Sequence, residues 1–199
     1  MSTVNKTDED LMRSFQEGDQ AAFETLYRKY KGPVFSFLVR QYAASDTAKE
    51  LTQEVFLRVV RNAQTFRYGS RFTTWLFTIA RNIAIDSLRK ARHRKHTSLD
   101  QKVGEDGPSL GERLPGSEPE PDRATASSKL RRDLTEAISK LPEQQREVFL
   151  LREYHGLRFR EIAKVVDAKE GTVKSRMRYA LETLKVELTD WSDYARTLP

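Results

Sequence analysis

Leu141-Pro142-Glu143, Arg146-Glu147-Val148-Phe149-Leu150-Leu151, Glu161-Ile162-Ala163 and Gly171-Thr172-Val173-Lys174-Ser175-Arg176 follow one another near the end of the chain. Their spacing predicts a helix, a second short helix, a tight turn and a third helix. Pro142 suits a first helical turn, where its missing N–H costs nothing. Val148, Phe149 and Leu151 supply that helix with a core face, and Gly156 ends it. A short helix then spans Arg158 to Val166, with Ile162 and the small Ala163 pointing inward. Asp167-Ala168-Lys169-Glu170-Gly171 reads as the turn. In the last helix Val173, Met177, Ala180, Leu181 and Leu184 are spaced for burial, which leaves Thr172, Lys174, Ser175, Arg176, Arg178 and Tyr179 outward. This is the anatomy of a helix-turn-helix, whose last helix enters the DNA major groove N-terminus first. Lysine and arginine bond guanine acceptors or phosphates, and serine bonds either. The plainer alternative is a helical bundle with a basic surface helix. The pattern favours double-stranded DNA as the ligand.

Composition agrees and sets limits. The 199 residues suit one large or two small domains. A net charge of +6 and a sequence pI of about 9.5 fit a nucleic-acid partner, and also fit ordinary solubility. There is no cysteine, so disulfides, thiolate zinc sites and cysteine nucleophiles are excluded. No apolar run approaches the ~20 residues that span a bilayer. Met1 to Asp10 is polar and acid-leaning, unlike a secretory leader. A soluble, cytoplasmic protein without membrane contact is expected.

Composition shifts sharply at Thr97. From there to Ser128 lie four of the seven prolines, and seven acids against three bases, with no helical or strand period. This predicts a flexible acidic linker, 97–128, too poor in apolar residues to offset its ordering entropy. It separates blocks at 8–96 and 129–190, both helical by pattern. The fold class expected is therefore all-α, two small helical domains joined by that linker. In the first block Leu11 and Phe15, then Ala22, Phe23, Leu26, Tyr27 and Tyr30, recur at helical spacing, with Asp19 as an N-cap between them. Gly32-Pro33 is expected to kink or restart the second helix. Thr47 and Glu50 are spaced as a capping box for a third helix, whose apolar stripe is Leu51, Val55, Phe56, Val59 and Val60. A fourth helix, from about Thr73 to Lys90, buries Trp75, Leu76, Ile79, Ala80, Ile83 and Leu88. In the second block Leu130, Leu134, Ala137, Ile138 and Leu141 form one further amphipathic helix.

Three polar surfaces carry candidate functions. The fourth helix presents Thr78, Arg81, Asn82, Ile85 and Arg89 on one face and ends in a basic run, Arg89 to Lys95. Such a row can follow a phosphate backbone; it can also be a solvated face whose cations complement the helix dipole. The preceding loop, Phe66-Arg67-Tyr68-Gly69-Ser70-Arg71-Phe72, interleaves aromatics with arginines, which suits stacking on unpaired bases. Its aromatics, Phe66 and Phe72 above all, can instead fold into the core. The third helix offers a mixed polar face of Lys49, Glu50, Gln53, Glu54 and Arg58. That face is either plain solvent-facing helix or a protein-docking surface.

Nearly the whole chain resembles the extracytoplasmic-function sigma factors, the compact alternative sigma subunits of bacterial RNA polymerase in the sigma-70 family. Glu50-Leu51-Thr52-Gln53-Glu54-Val55-Phe56 is similar to the family's polymerase-docking motif. The resemblance implies that Lys49, Glu50, Gln53 and Glu54 meet the β′ clamp coiled coil of core RNA polymerase. Phe66 to Leu76 resembles the promoter-melting loop and the helix that follows it, and Ala80 to Arg89 resembles the region beside the −10 element. By that likeness Arg67, Tyr68, Gly69, Ser70, Arg71, Thr78, Arg81, Asn82 and Arg89 face the −10 strand. The last block resembles the family's fourth region, with Thr172, Lys174, Ser175, Arg176, Arg178 and Tyr179 toward the −35 element and its start near the β flap. The linker would thread toward the polymerase active-site channel. The family also implies an anti-sigma partner, and no cofactor, metal or catalytic residue of its own.

Two other classes compete. A stand-alone helix-turn-helix regulator would bind its duplex site without polymerase, and leaves the docking motif unexplained. An enzyme acting on nucleic acid would need clustered carboxylates or histidine ligands. Here the three histidines, His93, His96 and His155, sit in a basic tail and a turn, and the acids are scattered or gathered in the linker.

Overall fold

A computed structural model describes residues 6–42, 44–67, 69–97, 124–189 and 191, and every element among them is helical. The helices are α1 (Asp8–Gln16), α2 (Gln20–Gln41), α3 (Ser45–Arg61), α4 (Phe72–Thr97), α5 (Ala124–Lys140), α6 (Glu143–Phe149), α7 (Phe159–Val165) and α8 (Glu170–Glu187). Helix α5 begins at Ala124, ahead of the boundary at 129 that composition suggested. The body of the expected linker, 98–123, lies outside the described residues, as does Tyr68.

Local chemistry sets the starts of these helices. Thr7 caps α1 in a capping box with Asp10, and Asp8, Glu9 and Asp10 place negative charge at its N-terminus. Asp19 caps α2, its Oδ1 accepting from the Ala21 and Ala22 amides at 3.0 and 3.2 Å. Gly18, at φ 104°, makes the turn between them, a conformation that a side chain would strain.

Of the kink or restart expected at Gly32-Pro33 the restart does not occur, and the expected capping box of α3 does not form. Helix α2 runs unbroken through Pro33. Val34, Phe37 and Leu38 beyond the proline are fully buried, as is Leu26 before it, so packing on both sides holds one helix together despite the lost hydrogen bond. Helix α3 begins at Ser45 behind Ala44, with no side-chain cap, so Thr47 and Glu50 are not a capping box. Thr47 already lies inside the helix, and Asp46 pairs with Lys49 at 2.8 Å.

In the first block α1 packs on α2, α2 on α3 and α3 on α4. Met12, Leu26, Val34, Phe37, Val55, Val59, Phe72, Leu76 and Phe77 fill the space between them. Trp75 is half-buried against this core rather than within it, and Phe77 takes the deep position. In the second block α8 lies against α5, α6 and α7. After Phe149 the helix widens into a π-turn over Leu150–Tyr154, and Gly156, at φ 66°, reverses the chain. Asp167, at φ 51°, begins the turn into α8, and the Ala168 amide donates back to the Ala163 carbonyl at 3.0 Å. Aspartate tolerates this left-handed geometry better than most side chains. Leu181 is not buried. The stripe of α8 is Val173, Met177, Ala180 and Leu184, and Leu181 stands about 80° round from Val173 at 100° per residue, on the open flank.

Leu26→Ala should cost about 2–5 kcal/mol in urea unfolding, because it opens a cavity at a fully buried position of the core. Val186→Ala, on a side chain 73% exposed, should change stability by less than about 0.5 kcal/mol. Equal effects of the two would contradict this packing.

Candidate nucleic-acid and polymerase interfaces

Helix α8 presents the outward set as its sequence pattern predicts. Thr172, Lys174, Ser175, Arg178 and Tyr179 are exposed, and Arg176 is half-buried beside them. Lys174 and Arg178 pair with Glu170 and Glu182 of the same helix at 2.7 and 3.7 Å. Such exposed pairs contribute little and exchange readily for a phosphate. The Arg178 guanidinium lies over the Tyr179 ring, 4.8 Å from its centroid. Turn geometry and the buried stripe together hold the N-terminal end of α8 open, the end that a major groove admits.

The face of α3 carries more than its polar residues. Lys49, Glu50 and Gln53 are exposed, and Glu54 is half-buried and paired with Arg58 at 3.3 Å. On the same side Leu57 is 50% and Val60 43% exposed. Val60 was expected in the buried stripe, and Leu57 was not singled out. The core stripe of α3 is Ala48, Thr52, Val55, Phe56 and Val59, so Val60 falls past its edge. Gln53, Leu57 and Val60, at i, i+4 and i+7, make one strip in which apolar surface adjoins amide and charge. That is the make-up of a protein contact rather than of a DNA contact.

The loop before α4 is fixed at its base and open at its tip. Phe66 and Phe72 are buried, with ring centroids 6.1 Å apart, and both meet Trp75. Tyr30 closes the group at 5.4 Å from Phe72. These two phenylalanines therefore take the alternative weighed against base stacking and fold back into the core. Between them Arg67, Ser70 and Arg71 are exposed, and Gly69 turns at φ 96°. Along α4, Asn82 and Arg89 are exposed, Arg89 near Asp86 at 3.5 Å, and Thr78 donates to the Thr74 carbonyl at 2.8 Å.

Arg81 lies differently from a solvent-facing row, and the exposed Arg71 also reaches a carboxylate. The second block packs on this side of the first, through α4 with α7 and α2 with α6. Arg81 Nε meets Glu147 Oε1 at 2.7 Å, and Glu147 is only 4% exposed. The Tyr42 hydroxyl donates to the same oxygen, and burial, with the Glu147 charge next, pushes that phenol far above its usual range. Gln41 Nε2 donates to the Glu143 carbonyl at 2.9 Å, and Arg146 Nε donates back to Gln41 Oε1 at 3.2 Å. Arg71 faces Glu161 at 3.8 Å, while Glu161 Oε2 also caps α7 by accepting from the Arg158 amide. His155 enters the first block's aromatic core, its ring 4.4 Å from Phe77 and 5.7 Å from Phe37. Burial, and secondarily the nearby Arg40 charge, lowers its pKa from 6.5 to about 4. Sequence reasoning placed His155 only in a turn. Nothing local signals its partners, which lie more than seventy residues away.

No helix among the described residues is long and apolar enough to cross a membrane. The Sigma-70 region 2 family model matches residues 26–94, and the Sigma-70, region 4 model matches residues 131–184. The chain is 36% identical over 179 residues to the ECF RNA polymerase sigma-E factor of Escherichia coli strain K12, covering 89% of this chain and 92% of that protein. It is 30% identical over 180 residues to the ECF RNA polymerase sigma factor SigW of Bacillus subtilis strain 168, covering 90% and 95%. Two solved structures share the fold. The complex of CnrH with the cytosolic domain of CnrY aligns at 20% identity and a TM-score of 0.64, over 92% of this chain and 97% of that one. The sigma factor RpoE from Bartonella quintana, in complex with the anti-sigma factor NepR, aligns at 23% identity and a TM-score of 0.65, over 84% and 96%.

The seam between the blocks should weaken in acid. A histidine held neutral by burial keeps the folded state at full stability above its unfolded pKa of 6.5, and that contribution is lost as pH falls toward about 4. Between pH 7 and pH 5 the wild type should lose about 2 kcal/mol through this one group. His155→Phe should lose that much less over the same window, read as urea midpoints. An identical pH slope in both proteins would show that the imidazole is not buried neutral.

Proposed function

Because the chain belongs to the extracytoplasmic-function sigma factors of the sigma-70 family, alternative sigma factors that direct transcription initiation, we propose a role for each of its surfaces. Helix α3 docks core RNA polymerase at the β′ clamp coiled coil through Lys49, Glu50, Gln53 and Glu54, with Leu57 and Val60 as the apolar part of that contact. Helix α8 reads the −35 element with Thr172, Lys174, Ser175, Arg176, Arg178 and Tyr179. The outer face of α4, with Thr78, Arg81, Asn82 and Arg89, lies along the −10 region. The loop tip, Arg67 to Arg71 with Tyr68 and Gly69, captures an unpaired base there. The domains that do this work are 8–96 and 129–190, the latter near the β flap.

The observation that supports this reading most is the co-occurrence, in order, of a mixed apolar–amide strip on α3, a two-footed aromatic–arginine loop and a helix-turn-helix. A duplex-binding regulator needs only the last of these. Bond making belongs to the polymerase, and the chain works where the polymerase does, in the cytoplasm. Binding at −10 requires Arg81 to exchange the Glu147 carboxylate for a DNA phosphate, so the seam opens when the two blocks spread over a promoter. One solved relative is bound to an anti-sigma factor. An anti-sigma protein is accordingly proposed as the partner that restrains this chain.

The test is reconstitution: the purified chain with core polymerase on fragmented genomic DNA, with run-off transcripts sequenced. A set of starts sharing two upstream elements supports the reading. Tight binding of duplex promoter by the chain alone would contradict it. Gln53→Ala combined with Leu57→Ala should weaken core association at least tenfold in a titration, while each exposed substitution changes stability by under about 0.5 kcal/mol. Arg176→Ala should lower transcription by roughly tenfold on promoters with an intact −35 element, since a base contact discriminates by about 1–3 kcal/mol, and by much less where that element is scrambled. A uniform loss across both promoters would move Arg176 from base reading to phosphate contact.

A further inference from the structure

Helix α1 precedes the matched region 2 segment, which begins at residue 26, and none of the proposed contacts uses it. Yet it holds both feet of the 67–71 loop. Gln16 Nε2 donates to the Ala63 carbonyl at 2.8 Å and to the Phe66 carbonyl at 2.9 Å. Gln64 Nε2 returns a bond to the Gln16 carbonyl at 3.2 Å. At the other foot Glu9 Oε1 accepts from the Phe72 amide at 2.9 Å. That amide is the first of α4, an unpaired donor at the positive end of the helix dipole, where a carboxylate is favourable. Helix α1 is itself tied down. Asp8 Oδ1 pairs with Lys29 at 2.6 Å, Asp8 Oδ2 accepts from the Tyr30 hydroxyl, and Met12 is fully buried.

The two contacts bracket the tip. Gln16 grips the last residue before it, Phe66, and Glu9 grips the first after it, Phe72. A loop that must seize a base as the duplex breathes loses binding free energy for every degree of freedom it freezes on contact. Feet fixed in advance leave only the tip to order. The aromatic packing of Phe66 and Phe72 is non-directional, whereas these bonds fix the rotation and height of each foot.

We propose that Glu9 and Gln16 are positioning residues for strand opening: from α1 they clamp the two feet of the 67–71 loop, so that only its tip has to order on the unpaired promoter strand. The proposal rests on the reading that this loop captures an unpaired −10 base. It assigns to α1 a part in DNA opening without any contact of its own with DNA.

The test uses holoenzymes carrying Glu9→Ala, Glu9→Gln, Gln16→Ala or Tyr68→Ala on a promoter recovered by the run-off experiment. Each is assayed on the intact duplex and on the same promoter with a mismatched, pre-opened bubble over the −10 region. Glu9→Ala and Gln16→Ala should slow opening of the duplex by roughly tenfold, the order expected for losing one well-placed hydrogen bond. Both should regain most of their activity on the bubble. Glu9→Gln keeps an acceptor oxygen and should open the duplex at close to the wild-type rate. A role confined to stability would lower duplex and bubble transcription together, or lower neither once the proteins are folded, and either result overturns the proposal. Glu9 and Gln16 are both half-buried and hold different feet, so either alanine variant carries the test if the other does not fold. Tyr68→Ala separates the premise from the inference. If it opens the duplex normally, the loop is not the opening element and the underlying reading fails. If it is slow on duplex alone while both α1 variants are normal, only the positioning role fails.

Discussion

The first block is organised around four aromatic rings: Phe66, Phe72, Trp75 and Tyr30. Phe66 ends the strap that leaves α3, and Phe72 begins α4. With both buried, Arg67, Gly69, Ser70 and Arg71 between them are left exposed. Burial of a phenylalanine is worth about 1.5–3 kcal/mol, so the two together outweigh any gain from drawing the polar tip inward. From that anchor α4 runs with a fixed phase, which decides that Leu76, Phe77 and Ala80 face the core while Asn82 and Arg89 face away. Every surface assigned to promoter opening takes its position from this group of rings.

The second constraint is electrostatic. Glu147 is a nearly buried carboxylate, and desolvating an unpaired charge is prohibitive. It is accommodated because Arg81 and Tyr42 of the other block both reach it. A buried pair of this kind adds little net stability, but it penalises any arrangement that leaves one partner buried alone. It therefore specifies which face of the second block meets the first. The same property suits the proposed opening of the seam, because both ions would regain water, or a phosphate.

Much of this was legible from the chain. Helical periodicity located the α8 stripe at Val173, Met177, Ala180 and Leu184, and so the outward set. Gly18-Asp19 marked a true helix boundary, and the arginine-rich loop was visible in its composition. What failed did so for a common reason. Periodicity reports the phase of a residue, not whether a neighbour exists at that phase. Val60 and Leu181 carry core-like side chains on flanks that no helix covers. Arg81 has the phase of a solvent-facing residue, yet a carboxylate from residue 147 covers it. Pro33 carries a strong local breaking signal, and packing on both of its sides overrides it. The Glu9 and Gln16 contacts join residues nearly fifty or more positions apart, beyond any local rule.

The central claim is that the tip between Phe66 and Phe72 seizes a single DNA strand as the promoter opens. A photo-crosslinking side chain placed at Ser70, exposed on that tip, tests it most directly. In holoenzyme open complexes the account predicts an adduct with the non-template strand inside the −10 element, absent from closed complexes trapped at low temperature. Crosslinking to the same position of duplex DNA in both states, or only to polymerase, would contradict it.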